Sequence, residues 1–285
     1  MNEISKRIIF GLIYVLLVVF ATTFNQFTFF GLFFIFMLFC IYEFQKMLNY
    51  KSVFPYVIGV LLFTASVVKL SNSFSYMQQF AKSTLIEHLF KLSAVVAVFI
   101  AFISTLFLQK KEVHSFLGNI GLTLIYPILP FILLIQIPFY KDTFDNKIIL
   151  GVFILIWMSD TFAYIIGRKF GKHKLFERIS PKKTIEGFIG GFVFTLITAY
   201  ISSLYFTNTS LVNWIVIAII VSVFGSIGDL VESMFKREAK IKDSSNFIPG
   251  HGGFLDRLDS VIFAAPFIYV FLYATQYLNL FLNVS

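Results

Sequence analysis

Long apolar runs separated by short polar gaps dominate the hydrophobic pattern of the chain. A helix needs about 20 mostly apolar residues to cross the hydrocarbon core of a bilayer, and each run has roughly that length. Strands of a membrane barrel are about half as long and alternate in polarity, so the pattern excludes them. We therefore predict an all-α, polytopic integral membrane helical bundle with about nine transmembrane helices. The predicted spans are residues 8–24, 27–44, 53–70, 90–108, 118–139, 148–167, 185–206, 211–232 and 259–282.

The composition agrees with a bilayer as the natural solvent of this chain. Its 285 residues are 58% hydrophobic and only 13% charged, whereas a soluble domain is nearer half apolar and a quarter charged. The first apolar run follows Lys6 and Arg7, as in a signal peptide, but it lacks a small-x-small cleavage site. We therefore expect a retained first span. The single cysteine, Cys40, lies inside an apolar run, which excludes a disulfide within the chain and a cysteine-based metal site.

Lysine and arginine are distributed unevenly between alternate gaps. With nine spans, alternate gaps lie on opposite sides of the membrane, and one side holds most of the lysines and arginines. The other side carries only Lys69, Lys82, Lys91, Lys141 and Lys147. The positive-inside rule makes the richer side cytoplasmic, and it favours a multi-pass protein of the cell (inner) membrane. The net charge of +8 lies in these gaps, where it sets topology and attracts anionic headgroups, so we expect no nucleic-acid partner.

Acidic residues occur where acids are unfavourable. Asp160 lies in the sixth predicted span, Asp229 and Glu232 lie near the end of the eighth, and Asp256 and Asp259 lie at the start of the ninth. A charged group in a spanning helix costs roughly 2.5–3.5 kcal/mol on insertion scales, so each is a candidate for function. All of them lie toward the predicted cytoplasmic side. Interhelical hydrogen bonding that holds the bundle together is the structural alternative.

Residues 233–259 combine three elements that suit a nucleoside triphosphate and a metal ion. Four cations, Lys236, Arg237, Lys240 and Lys242, can bind phosphates. The turn Pro-Gly-His-Gly-Gly at residues 249–253 lets backbone N–H groups approach an anion closely. Carboxylates follow at residues 256 and 259, and Mg²⁺ prefers oxygen ligands of this kind. Each element alone is weak, and their combination predicts a phosphate and metal site.

This stretch resembles the signature of the CDP-diacylglycerol synthases, also called phosphatidate cytidylyltransferases. Two further elements resemble that family: Ser-Pro-Lys-Lys-Thr-Ile-Glu-Gly at residues 180–187, and residues 160–172, which begin Asp-Thr-Phe-Ala-Tyr. The resemblance is specific from about residue 160 to residue 260. We therefore expect residues 1–140 to form about five hydrophobic spans. Residues 141–285 would form a catalytic transmembrane region with cytoplasmic loops and the signature.

The resemblance implies transfer of the CMP moiety of CTP to phosphatidic acid, which gives CDP-diacylglycerol and pyrophosphate. It implies that Asp229 and Asp256 are ligands of Mg²⁺, with a second, monovalent cation such as K⁺ beside it. It assigns a catalytic role to Asp229, Asp256, Ser233, Lys236 and Arg257. It assigns binding of substrate phosphates to Lys182, Lys183, Arg237, Lys242, His251, Gly252 and Gly253. Asp160, Asp243 and Asp259 are further candidates for the site.

Three other interpretations stay open at this point. A related CTP-dependent lipid phosphotransferase, such as a polyprenol kinase, would share a cation and metal site. An ion-coupled transporter would also place acids on spanning helices, but it commonly shows two related halves, and we find no internal repeat. A membrane scaffold would have no use for the acids. The expected partners are CTP, phosphatidic acid in the inner leaflet and the bilayer, and the sequence leaves a homodimer open.

Overall fold

We describe the protein from a computed structural model. It describes residues 3–72, 116–141, 143–250 and 252–282, together with Ser93, Val95, Phe99 and Ile100. The side chains of residues 3–8 and 277–282 are outside this description. Most of the predicted fourth span, 90–108, therefore lies outside the described residues, and so does His251.

Three helices form the first part of the bundle: α1 (Glu3–Phe24), α2 (Gln26–Met47) and α3 (Phe54–Asn72). The sharp break between α1 and α2 is fixed by Asn25, whose side chain accepts a hydrogen bond from the backbone N–H of Thr28. The Thr28 hydroxyl in turn accepts from the N–H of Asn25, which completes a capping box. The capping box therefore allows α2 to begin as a separate helix with only Asn25 between it and the end of α1.

The predicted span 118–139 is apolar throughout, but it is not a regular helix. It consists of α4 (Phe116–Thr123), a π-helical turn (Leu124–Ile128), α5 (Leu129–Leu134) and a short 3₁₀ turn (Ile137–Phe139). Prolines lie inside the π turn, in the first turn of α5 and in the 3₁₀ turn, and each lacks a backbone donor. These prolines explain why the helical hydrogen-bond pattern changes along the segment.

The second part contains α6 (Asn146–Phe170), β1 (Lys174–Phe176), β2 (Ser180–Thr184), α7 (Ile185–Tyr205), α8 (Leu211–Glu238) and α9 (Leu255–Leu282). The strands form an antiparallel hairpin, in which Lys174 pairs with Thr184 and Phe176 pairs with Ser180. Among the described residues this hairpin is the one β-sheet, and a single isolated bridge joins Ile248 and Gly252 in the loop after α8.

Within the described residues, seven segments are long and apolar enough to cross a membrane, and α1 contributes the shorter apolar stretch Ile9–Phe24. The all-α membrane bundle is therefore confirmed, while the number nine stays a prediction. Most helix ends differ from the predicted ones by a few residues, and two of these differences affect the acidic residues. Helix α8 continues to Glu238 and α9 begins at Leu255, so several residues expected in a loop belong to helices.

Helices α6, α7, α8 and α9 pack in chain order, each against the next. The core nevertheless includes both sequence regions, because Phe33 of α2 packs on Phe153 of α6, and Phe44 of α2 packs on Phe235 of α8. Large apolar side chains such as Leu61 and Val212 remain exposed on the outside. Exposed apolar side chains of this kind are expected of helices that face lipid.

Candidate active site

The acidic residues of α8 and α9 meet because the two helices approach very closely. A methyl group placed on Gly228 would lie 2.5 Å from Cβ of Phe263 and 2.6 Å from the backbone oxygen of Asp259. Only a residue without a side chain permits this contact. The next residue along α8, Asp229, is thereby brought to the first turns of α9.

Three carboxylates form a cluster at this crossing: Asp229 and Glu232 of α8, and Asp259 of α9. One oxygen from each lies within 4.8 Å of the others. Glu232 has no exposed surface, and among the described residues its Oε1 atom has no hydrogen-bond partner. A buried carboxylate oxygen without a partner is unfavourable unless a cation or a donor reaches it. The donor set is all oxygen, which fits a hard divalent cation.

Lys236 links this cluster to Asp256. Its ammonium nitrogen lies 2.7 Å from Oε2 of Glu232, one helical turn away, and 2.6 Å from Oδ1 of Asp256. Lys236 is only 8% exposed, so the three charges are held away from water. A lysine between two carboxylates keeps both ionised groups paired in this buried position.

The other oxygen of Asp256 holds the loop between α8 and α9. Oδ2 accepts from the backbone N–H of Ser244 at 2.9 Å, from its hydroxyl at 2.8 Å, and from the N–H of Gly253 at 2.8 Å. Gly252 adopts a φ of +84°, and a methyl group there would lie 2.4 Å from the same carboxylate oxygen. The glycines of the predicted phosphate turn therefore let the backbone close around Asp256.

The hairpin before α7 delivers a second lysine to the cluster. Nζ of Lys183 lies 2.6 Å from Oδ2 of Asp229 and 3.4 Å from the backbone oxygen of Ser226. Ser233 donates its hydroxyl to Oδ1 of Asp229 at 3.2 Å. Thr184 caps α7 by accepting from the N–H of Gly187. The cap fixes where β2 ends and therefore where Lys183 points.

Glu186 anchors the start of the same hairpin. Its carboxylate accepts from the backbone N–H groups of Lys172 and His173, and it lies 2.6 Å from Nδ1 of His173. The turn after α6 is thereby tied to the first turn of α7. Glu186 belongs to the Ser-Pro-Lys-Lys-Thr-Ile-Glu-Gly element, but the sequence predicts no individual role for it.

The remaining predicted residues are mostly exposed. Asp160 of α6 is exposed and interacts electrostatically with Lys183, Asp229 and Arg257. The side chain of Arg257 is exposed, and its backbone oxygen accepts from the hydroxyl of Tyr14 on α1. The exposed positions also include Lys182, Arg237, Lys242 and Asp243. Their contact with substrate stays a prediction.

A cavity of about 640 Å³ opens beside the loop between α8 and α9. It lies between the end of α2 and the segment that follows α8, and Lys46, Asn49, Asp243, Ser244 and Asn246 are among its lining residues. The gaps after the second and eighth predicted spans therefore lie at the same end of the bundle. The Lys183–Asp229 contact brings the gap after the sixth span there as well.

Sequence reasoning missed one acid of the site. Glu43, in α2, has no exposed surface and accepts hydrogen bonds from Ser244, Ser245, Phe254 and Leu255. The available signal was an ionisable residue inside the apolar run 27–44, to which the same insertion penalty applies.

The site combines carboxylates that can bind a metal ion with lysines that can bind phosphate, and phosphoryl-type transfer requires both kinds of group. Three carboxylates can hold a hard cation, and Lys183 and Lys236 bring positive charge to the same place. Neutralisation of charge by metal ions and lysines is the main catalytic resource in transfer of phosphoryl-type groups. Among the described residues the site contains no cysteine, and its serines contact carboxylates rather than a histidine base.

The fold and the site define a membrane protein with a cluster of carboxylates and lysines at one end of its bundle, and sequence comparison identifies its class. The profile of the cytidylyltransferase family matches residues 5–275 of the chain. The chain therefore belongs to the cytidylyltransferase family, and the resemblance seen in the sequence motifs is confirmed.

Individual relatives narrow the class further. A protein of Bacillus subtilis named phosphatidate cytidylyltransferase is 33% identical over 95% of this chain and 98% of its own length. Proteins of the same name from Staphylococcus haemolyticus and Staphylococcus aureus (strain COL) are 51% and 49% identical. These matches include 47% and 44% of this chain, and they span about half of each staphylococcal relative (52% and 48%).

Proposed function

We propose that this chain transfers the CMP moiety of CTP to phosphatidic acid, giving CDP-diacylglycerol and pyrophosphate for phospholipid synthesis. One observation carries the proposal: the carboxylates of α8 and α9 meet Lys183 and Lys236 at one end of a lipid-facing bundle. A site at the end of the bundle can receive a water-soluble nucleotide and a lipid headgroup together. The family and the names of the relatives point to the same reaction.

We propose that Asp229, Glu232 and Asp259 hold Mg²⁺, because their oxygens converge and one oxygen of Glu232 lacks a partner among the described residues. The bound ion would withdraw charge from the triphosphate. The sequence also predicts Asp256 as a ligand. Both of its oxygens contact protein donors, so we place it beside the ion, with a monovalent cation such as K⁺ as a further proposed component.

In the proposed reaction, an oxygen of the lipid phosphate attacks the α-phosphorus of CTP. A new oxygen–phosphorus bond forms, the bond to the β-phosphate oxygen breaks, and pyrophosphate leaves with the electron pair. The attacking oxygen is already anionic near neutral pH, so a strong general base is not required. Lys183 and Lys236 act by offsetting the repulsion between two polyanions, and Ser233 orients Asp229.

We propose that the site faces the cytoplasm and that phosphatidic acid enters from the inner leaflet. The gaps after the second, sixth and eighth predicted spans are rich in lysine and arginine, and contacts in the structure bring them together. Positive charge at one end of a bundle marks the cytoplasmic end. CTP is a cytosolic metabolite, and the lipid headgroup would reach the same end from the bilayer.

The test is a turnover assay on detergent-purified protein with labelled CTP, dioleoyl phosphatidic acid and Mg²⁺. We expect label in the lipid phase, release of pyrophosphate, and loss of both when EDTA is added. Asp229→Asn should reduce turnover by at least 100-fold, because the carboxylate contacts Lys183 and belongs to the cluster. Asp145→Asn is the matched control, since Asp145 caps α6 at the opposite end of the bundle.

Two results would contradict the proposal. Near wild-type turnover of Asp229→Asn at saturating Mg²⁺ would overturn the role of the cluster. No transfer from CTP by folded protein would favour a related lipid phosphotransferase. Other lipid acceptors and other nucleotides would then be tested in the same assay.

A further inference from the structure

Glu43 lies about one helical turn before the end of α2 and has no exposed surface. Its four hydrogen-bond partners are about 200 residues or more away in the chain. A buried carboxylate in a spanning helix is retained only where its contacts compensate for desolvation. The hydrogen-bond partners of Glu43 therefore indicate which part of the structure it stabilises.

The Glu43 carboxylate ties together the two ends of the loop that holds Asp256. On the first side of the loop, the hydroxyl of Ser245 donates to Oε1 at 2.6 Å and that of Ser244 approaches Oε2 at 3.0 Å. On the second side, the backbone N–H groups of Phe254 and Leu255 donate to Oε1 at 3.0 Å and to Oε2 at 2.8 Å. Leu255 begins α9, so a negative charge also faces the positive end of that helix.

Ser244 and Gly253 connect Glu43 directly to Asp256. The Ser244 hydroxyl lies 3.0 Å from Oε2 of Glu43 and 2.8 Å from Oδ2 of Asp256, and its single proton serves one of them at a time. The N–H of Gly253 donates to Asp256, while a methyl group on Gly253 would lie 2.4 Å from Glu43. The space that a side chain would need at residue 253 is thus filled by the Ser244 hydroxyl and the Glu43 carboxylate.

Aromatic packing holds the loop against the same helix. The ring of Phe254 stacks on Phe39 of α2 with a centroid distance of 4.5 Å, and Phe36 lies 5.4 Å away. The apolar face of α2 and the Glu43 carboxylate therefore approach the loop together. A shift of α2 would move Ser244 and Gly253, and with them the donors to Asp256.

We propose that Glu43 is a positioning residue for the reaction: from the second transmembrane helix it fixes the loop that orients Asp256 and, through Asp256, Lys236. This inference rests on the proposed function. It also makes the N-terminal region, for which the sequence predicts only hydrophobic spans, part of the catalytic apparatus.

The test is the kinetics of Glu43→Gln in full-length protein, measured well below the melting temperature of the variant. The amide keeps the size of the side chain but turns one acceptor into a donor that faces existing donors. We expect kcat to fall by about 10- to 100-fold, as for residues that orient metal ligands. KM for CTP and for phosphatidic acid should change much less than kcat. The Mg²⁺ concentration for half-maximal activity should rise, which a simple loss of folded protein would not cause.

Gln45→Ala is the matched control on the same helix. Gln45 is buried and bonds both polar groups of its amide to the backbone of Ser52, in a different loop. Its loss should lower the melting temperature without changing kcat per folded molecule. If Glu43→Gln shows unchanged kcat and Mg²⁺ dependence while wild-type protein turns over, the inference is overturned. Inactive wild-type protein would instead contradict the proposed function.

Ser245→Ala provides a second measurement in case Glu43→Gln does not fold. It removes one donor to the carboxylate and leaves Glu43 itself unchanged. We expect a smaller fall in kcat, about 3- to 10-fold, with the same rise in the Mg²⁺ requirement. Unchanged kcat and Mg²⁺ dependence of Ser245→Ala alone would overturn the inference. Where Glu43→Gln does fold, the effect of Ser245→Ala should largely disappear in the double variant, because both changes act through one contact. Independent, multiplying effects would overturn the inference.

Discussion

At the scale of single residues, Lys236 is the residue on which the charge balance of the site depends. It pairs with Glu232 and Asp256, and the side chains of both partners are buried. Removing one member of a buried ion pair leaves the others uncompensated, which typically destabilises a protein by about 3–5 kcal/mol. The same change removes a positive charge from the place where we propose the triphosphate binds.

We therefore predict that Lys236→Met lowers the melting temperature in detergent and abolishes turnover. Adding Glu232→Gln should recover part of the melting temperature but no turnover. The amide removes one of the two carboxylate charges that are left buried and unpaired when Lys236 is replaced. Lys242→Met is the control, because Lys242 is exposed in the following segment and its loss should change stability by less than about 0.5 kcal/mol. Equal melting temperatures for wild type and Lys236→Met would contradict the buried ion pair.

Residue types were predictable from the sequence, but their pairing was not. Asp229 and Asp256 could be selected because charged groups at membrane depth are unfavourable, and the resemblance to the synthase signature added Ser233 and Lys236. The link from Lys236 to both Glu232 and Asp256 depends on where α8 and α9 cross, which hydropathy does not encode. Glu43 was overlooked because it belongs to no local motif and acts only through residues distant in the chain.

At the scale of elements, the contact between α8 and α9 decides whether the carboxylates meet. Gly228 allows the helices to touch, and a methyl group there would overlap Cβ of Phe263 and the backbone of Asp259. Backbone cannot move away as a flexible side chain can, so the helices must separate. Asp229 would then be displaced from Asp259, and the cluster would open.

We predict that Gly228→Ala lowers stability by about 1–3 kcal/mol and reduces turnover by more than tenfold, with a raised Mg²⁺ requirement. Gly225→Ala is the matched control one turn earlier on α8. Its added methyl group would meet Cβ of Ser260 at 3.5 Å, an ordinary contact, so we expect activity close to wild type. Equal effects of the two substitutions on melting temperature and Mg²⁺ dependence would contradict this account of the crossing.

Hydrophobicity alone does not predict where the helices at the site begin and end. The predicted eighth span ends at residue 232, but α8 continues to Glu238. Lys236 can lie in this buried part of the helix because its ammonium group is paired with carboxylates instead of being hydrated. The predicted ninth span begins at residue 259, but α9 begins at Leu255, where Glu43 accepts from its first N–H groups. The same polar contacts that build the site lengthen the helices, so a scale based on apolar residues underestimates them.

At the scale of the whole molecule, the polar contacts lie at one end of a bundle whose outside is apolar. Contacts from α2, from the hairpin before α7, and from the loop between α8 and α9 converge there. The other end contains a separate set of polar contacts, in which Lys141 reaches the backbone of Asn208 and Asn208 contacts Asp145. Helix α7 connects the two ends, so labelling on either side of it reports the orientation of the site.

Orientation can be measured because the chain has a single cysteine, Cys40, which is fully buried and should not react. Glu177 in the hairpin and Thr207 beyond α7 are both exposed, at opposite ends of that helix. We predict that a membrane-impermeant maleimide labels Thr207→Cys on intact spheroplasts, and that Glu177→Cys reacts only after permeabilisation. The reverse pattern would place the lysine-rich end outside the cell. Since CTP is cytosolic, that result would contradict both the positive-inside assignment and access of the proposed nucleotide to its site.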